Sequence, residues 1–145
     1  MWISVFTMLA GVCVSFFYKR RAQGFVYNLI YGALILGFVL SLFQNSMLTS
    51  IGLHVFVLAS LAYAIRCVLV KKLISFTISV FTLILIAIQL LNLPGLNVFR
   101  LTLLVPFILH VITFKMDKKE FHYTHDYSIN TILIANLLAS FFQLY

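Results

Sequence analysis

Carboxylates are what this chain has least of. Among its 145 residues only three are acidic, Asp117, Glu120 and Asp126, and all fall in one short stretch. The long apolar runs contain none. Proton relays and cation-coupled carriers place Asp or Glu at membrane depth, so a carboxylate-driven transport mechanism has no support within this chain alone. Cysteine is nearly as scarce. Cys13 and Cys67 both sit inside apolar runs and read as buried reduced thiols. There is no Gly-x-Ser-x-Gly and no phosphate-binding glycine loop, so nucleophilic hydrolysis and nucleotide chemistry lack their usual signatures. Charge of any kind is sparse, at 9% of residues, against about 25% in ordinary soluble domains.

What remains is apolar. The chain is 63% hydrophobic with a mean hydropathy of +1.12. A soluble domain of this size cannot hide that much apolar surface, because much of a folded surface must face water. The reading is a single polytopic domain over residues 1–145, an all-α integral membrane protein. The spans are expected at Trp2–Tyr18, Phe25–Phe43, Ser50–Val70, Leu73–Leu91, Val98–Phe114 and Ser128–Tyr145. Continuous apolar runs favour helices, since membrane strands alternate. The stretch Leu9-Ala10-Gly11-Val12-Cys13 is similar to a lipoprotein cleavage site, but Val12 is bulky there and no basic residue precedes the run. Residues 1–18 therefore read as a retained span.

The basic residues carry the topology. They cluster at Lys19-Arg20-Arg21, at Lys71-Lys72, and at Lys115 with Lys118-Lys119. Counted with Arg66, nine of the ten Lys and Arg lie on one side of the expected spans, and Arg100 stands alone on the other. The positive-inside bias puts the basic turns in the cytoplasm and both termini outside, as for a bacterial cytoplasmic (inner) membrane protein. The spans then form three short hairpins, each with a basic inner turn. A single long bent helix through Lys71-Lys72 is the alternative and would give five spans. The net charge of +7 flanks apolar runs instead of forming a stripe, which points to anionic lipid headgroups and not to nucleic acid.

Small residues one turn apart mark expected helix-packing faces. These are Ala33, Gly37 and Ser41, Gly11 with Ser15, Ser60 with Ala64, Ser75 with Ser79, and Ala135 with Ala139. Small side chains let backbones approach closely in lipid, where packing drives association. Pro106 is expected to bend the fifth span by removing its backbone bond to Thr102.

The candidate polar residues are few. Arg66 and Arg100 lie near span ends, where they can snorkel to the surface or meet a lipid headgroup or a partner's carboxylate. His54 and His110 are expected near opposite membrane faces, so one haem could not take both as axial ligands. Each is expected to bond a neighbouring helix. His122 and His125, with Asp126 beside them, form the one polar cluster. Three lysines crowd it and no cysteine is near, so it reads as an interfacial or interaction segment and not as a zinc site. No cofactor is expected.

One stretch resembles a known family. Gly52-Leu53-His54-Val55-Phe56, with Ser60 and Tyr63, is similar to the Gly-Leu-x-x-Phe-x-x-x-His-x-x-Tyr pattern of the lysoplasmalogenase-like membrane family. Ser60 stands where that family has its His, and Gly37-Phe38 stands where it has Gly-Asp. That family is also longer. The resemblance implies a degenerate relative lacking the polar residues that would carry lipid hydrolysis. The sequence as a whole is read as a non-catalytic small accessory subunit of a larger membrane protein partner. The alternatives are a lipid-binding or lipid-modifying enzyme and a small self-assembling channel or carrier.

Overall fold

The computed structural model describes residues 2–18, 24–43, 45–91, 102–117 and 127–143. Among them are six helices and no strand: α1 (Trp2–Tyr18), α2 (Phe25–Ser41), α3 (Ser46–Leu69), α4 (Leu73–Leu90), α5 (Leu104–Asp117) and α6 (Tyr127–Gln143). Two of them, α3 with 24 residues and α4 with 18, are long and apolar enough to cross a membrane. The other four are apolar and shorter. The basic turns around Lys19–Arg21 and Lys118–Lys119, the Pro94-Gly95 turn, and Arg100, His122, His125 and Asp126 lie outside the described residues.

Local chemistry sets the helix ends. Asn45 caps α3: its side-chain oxygen accepts from the Met47 amide at 3.0 Å, satisfying an otherwise orphaned donor of the first turn. The helix therefore begins four residues before the expected Ser50. At its other end Lys71 takes a left-handed conformation with φ of 59°. The Lys72 amide donates to the Cys67 carbonyl at 2.8 Å, and the Lys71 amide to that of Val68 at 3.1 Å. This is a Schellman closure, and it divides α3 from α4, so the single bent helix is not formed. α5 runs from Leu104, and the expected start at Val98 lies outside the described residues. Pro106 therefore sits in the first turn, where a missing amide proton leaves no intrahelical bond unmade. Thr102 is helical and Leu103 forms a turn before α5, so the helical path is interrupted three residues ahead of Pro106.

A left-handed Lys carries a steric penalty that glycine escapes. Lys71→Gly is accordingly expected to stabilise the α3–α4 turn by about 1 kcal/mol. Thermal unfolding of the purified variant checks this, and a lowered midpoint would show that the lysine side chain contributes more than its backbone strain removes.

Packing keeps two of the expected hairpins, α3 with α4 and α5 with α6, but not α1 with α2. The closest partnerships are α2 with α3 and α1 with α6; α4 packs on α3, α5 and α6, and α5 also lies on α6. Glycines make both close pairs possible. A Cβ on Gly37 would stand 2.8 Å from the Gly52 carbonyl oxygen and 2.8 Å from the Phe56 amide nitrogen. On Gly52 it would stand 2.7 Å from both the Gly37 carbonyl oxygen and the Ser41 amide nitrogen. In the other pair, a Cβ on Gly11 would collide with that of Ala135.

Apolar side chains fill the core and also crowd the surface. Trp2, Phe6, Phe17, Phe25, Leu69 and Leu73 are among many large apolar residues left exposed, Phe17 at 89%. Ser15, Ser60, Ser79, Thr82, Ser128 and Asn130 are fully buried. α6 is enclosed along its described length: from Tyr127 to Ala135 every residue is buried.

Candidate functional site

A ladder of buried hydrogen bonds ties the helices together at the end that carries Lys71 and Lys72. The Tyr63 hydroxyl donates to Asn130 Oδ1 at 2.9 Å, and Asn130 Nδ2 donates to Ser75 Oγ at 3.0 Å. One carboxamide thereby joins α3, α4 and α6. Tyr27 on α2 shares a 2.6 Å hydrogen bond with Ser128 on α6. Ser15 donates to its own helix at the Val12 carbonyl, 2.7 Å away, so the 2.9 Å bond between Ser15 and Tyr31 uses the Tyr31 proton. Ser79 Oγ donates to the Ser60 carbonyl at 2.8 Å. In a dry interior each of these polar groups requires a partner, and they find it in one another.

Aromatic rings reinforce the same end. Arg66, half-buried on the last turns of α3, places its guanidinium 5.1 Å from the centre of the Tyr27 ring, within cation–π range. His110 stacks on Tyr127 with centroids 4.7 Å apart and planes 13° apart. Tyr18 meets the same Tyr127 edge-on at 4.7 Å. The Thr131 hydroxyl donates to the Tyr127 carbonyl at 2.8 Å, so its long 3.5 Å contact with His110 Nε2 has the imidazole as donor. His110 Nδ1 is then an acceptor, and it is buried without a partner.

His54 behaves otherwise than expected. It is exposed on α3, and its Nδ1 lies 2.7 Å from the Ser50 carbonyl of its own helix, so it ties back one turn and does not reach across to a neighbour. No described contact brings His54 and His110 together. Among the described residues no three His, Cys, Asp or Glu side chains converge as metal ligands. Cys13 is exposed, Cys67 is buried, and no disulfide joins them.

The small residues lie as follows. Gly11 and Ala135 meet, and Gly37 meets Gly52. Ser75 accepts from Asn130, while the Ser60 hydroxyl is buried with no partner. Ala64 and Ala139 are buried, Ala33 and Ser41 half-buried, and Ser41 donates to the Phe38 carbonyl at 2.6 Å.

At the end opposite Lys71, a cavity of about 500 Å³ opens between the α2–α3 and α1–α6 pairs. Met8, Phe38, Leu53, Phe56 and Ile86 form apolar walls, and Gln89, Asn136 and Ser140 supply polar groups. Asn136 Nδ2 is buried and unpartnered.

Sequence reasoning passed over Tyr27, Ser128, Asn130 and Asn136, and it named Tyr63 and Gly52 only within the family-like pattern, not as partners of Asn130 and Gly37. One signal was present. The last apolar run is unusually rich in hydroxyls and carboxamides, and a helix with polar groups on several faces belongs where protein encloses it.

No protein family, curated protein or solved structure matches this chain. The residues that resemble the lysoplasmalogenase-like pattern are engaged in packing here: Gly52 against Gly37 and Tyr63 in the bond to Asn130.

Proposed function

We propose that this chain is a six-span membrane protein acting as a non-catalytic accessory subunit that stabilises or positions a larger membrane partner. The membrane part rests on the apolar surface above. Many large apolar residues, among them Trp2, Phe6, Phe17, Phe25 and Leu73, face outward although the core is itself rich in Ile, Leu and Phe, and the buried Tyr, Ser and Asn side chains are hydrogen-bonded to one another, as a bilayer used as solvent allows. α3 and α4 meet the length for spanning outright, and the 17-residue helices fall at the low end of the spanning range of about 17–25 residues. Nine basic residues against one support cytoplasmic basic turns, outside termini and a bacterial inner membrane. Anionic lipids are the natural counter-charge at those turns.

The observation that carries the partner is Gly32. Of the described helical glycines, Gly11, Gly37 and Gly52 each abut another helix, whereas Gly32 is exposed on α2 with nothing within 4 Å of where its Cβ would stand. Glycine in a helix interior costs about 1 kcal/mol relative to alanine, and nothing inside this bundle uses the space. Exposed Leu29 and Leu36 flank it, forming a notch of the shape a second helix fills in lipid.

Gly32→Ile is expected to leave thermal unfolding of the isolated chain within about 0.5 kcal/mol of wild type while abolishing co-purification of the partner. Mild detergent extraction followed by native mass spectrometry reads both. A wild-type chain that travels alone, or a Gly32→Ile chain that keeps a stoichiometric partner, would contradict the assignment. A homo-oligomer would support the channel or carrier reading instead.

A further inference from the structure

We propose that the cavity opposite the basic turns is a binding site for an uncharged lipid, with one acyl chain against Phe38 and Phe56 and a carbonyl oxygen on Asn136. It does not depend on the partner assignment. Its volume of about 500 Å³ lies within the range of small-molecule sites, about 300–1,000 Å³.

The shape follows from how the bundle is tied. Hydrogen bonds from Tyr27, Tyr31 and Tyr63 draw the helices together at the basic end. Glycine contacts hold α2 on α3 and α1 on α6 as separate close pairs. Between those pairs, at the far end, the space stays open, with α4 contributing Ile86 and Gln89.

The lining selects the ligand. Its walls are thioether, aliphatic and aromatic, which suits a hydrocarbon chain better than a column of water. Its polar groups are hydroxyls and carboxamides, and no charged side chain is among the described lining residues. An anionic headgroup would enter without a counter-charge and lose its hydration. The hydroxyls of Ser41 and Thr49 are already spent on backbone carbonyls at 2.6 and 2.8 Å. Asn136 Nδ2 is not: it is unpartnered and screened from the cavity as the side chain stands, a buried donor without an acceptor is destabilising by about 1–3 kcal/mol, and a turn of the carboxamide would present it to a ligand. A neutral ester or ketone oxygen satisfies it. Diacylglycerols and quinones both present such an oxygen on an apolar chain.

Photoaffinity labelling of the full chain in detergent tests this. The probes are a diacylglycerol and a phosphatidylglycerol carrying the same photoactivatable acyl chain. Labelled peptides are mapped by mass spectrometry, and unlabelled ubiquinone is added as competitor. The diacylglycerol probe is expected to label the α2 and α3 segments around Phe38 and Phe56, and the phosphatidylglycerol probe only exposed faces. Asn136→Leu is expected to weaken labelling about tenfold, the equivalent of one lost hydrogen bond, with thermal unfolding unchanged or raised. Ala139→Phe, which fills the cavity from α6, is expected to abolish labelling at these sites. Competition by ubiquinone would assign the site to quinones, and its absence to acylglycerols. Equal labelling by both probes, or labelling indifferent to both substitutions, would overturn the proposal and leave a hydrated cavity.

Discussion

Gly37→Ile is expected to be among the most damaging single substitutions in this protein, destabilising it by about 3 kcal/mol. The physical reason is local and unforgiving. A Cβ at Gly37 would lie 2.8 Å from backbone atoms of Gly52 and Phe56 and 3.0 Å from the Phe56 Cβ. Backbone cannot swing aside as a flexible side chain does, so α2 and α3 must separate. Separation removes the close packing between the two helices, on which association would depend most in the proposed bilayer setting. Gly52→Ala should act in the same direction, since its added methyl would meet the Gly37 carbonyl and the Ser41 amide, each at 2.7 Å. Leu104→Ile is the control: Leu104 is 59% exposed, and its replacement should change stability by no more than about 0.5 kcal/mol. Unfolding of the purified variants in detergent reads the difference. Equal tolerance at positions 37 and 104 would show that the α2–α3 contact does not hold the bundle.

The second large effect is expected at Asn130. Asn130→Leu keeps the branching and heavy-atom count of the side chain but removes both of its buried hydrogen bonds, to the Tyr63 and Ser75 hydroxyls. Leaving a buried polar group unpaired costs about 1–3 kcal/mol, so the variant should lose about 3 kcal/mol of stability. Tyr63→Phe removes only the donor and should lose about 1 kcal/mol. Because the two residues share one bond, the double variant should fall short of the sum. A strictly additive cycle would mean that the Tyr63–Asn130 bond contributes nothing beyond its parts.

The helices were largely legible before their packing was. The apolar run between the start of the chain and Lys19 is α1, and the run after Gln23-Gly24 begins α2 at Phe25, because charge and turn residues cannot continue an apolar span. Lys71-Lys72 marked a break for the same reason. The backbone closes there by a left-handed lysine, which no spacing rule announces. The start of α3 was missed because Asn45 looked like a turn residue and acts as a cap. Pro106 was read as a kink within a span, and the helical path is interrupted at Leu103, three residues before it.

The two closest pairings of helices were not legible, and the reason is physical. Short loops bring sequence neighbours near, yet here α1 lies along α6, because Gly11 and Ala135 offer complementary surfaces. Periodicity shows that a face is small; it does not show which face it meets. Gly37 stood out in its stripe, while Gly52, its counterpart, lay among larger neighbours. Likewise the polar residues of the last run were visible, but that they join one ladder with Tyr27, Tyr63 and Ser75 depends on three helices converging. Arg66 was read as snorkelling to the surface, and the Tyr27 ring beneath it comes from another helix altogether.

The central claim is that these helices cross a bilayer with the basic turns on one face and the intervening turns on the other. Cysteine accessibility in intact cells tests it most directly, with Cys13 and Cys67 first replaced by alanine. A membrane-impermeant maleimide should label Ser46→Cys, at the start of α3, and should spare Gln23→Cys, beside the first basic turn, until the membrane is opened. Labelling of Gln23→Cys alone would reverse the orientation. Labelling of both positions in sealed cells would contradict the membrane-spanning account itself.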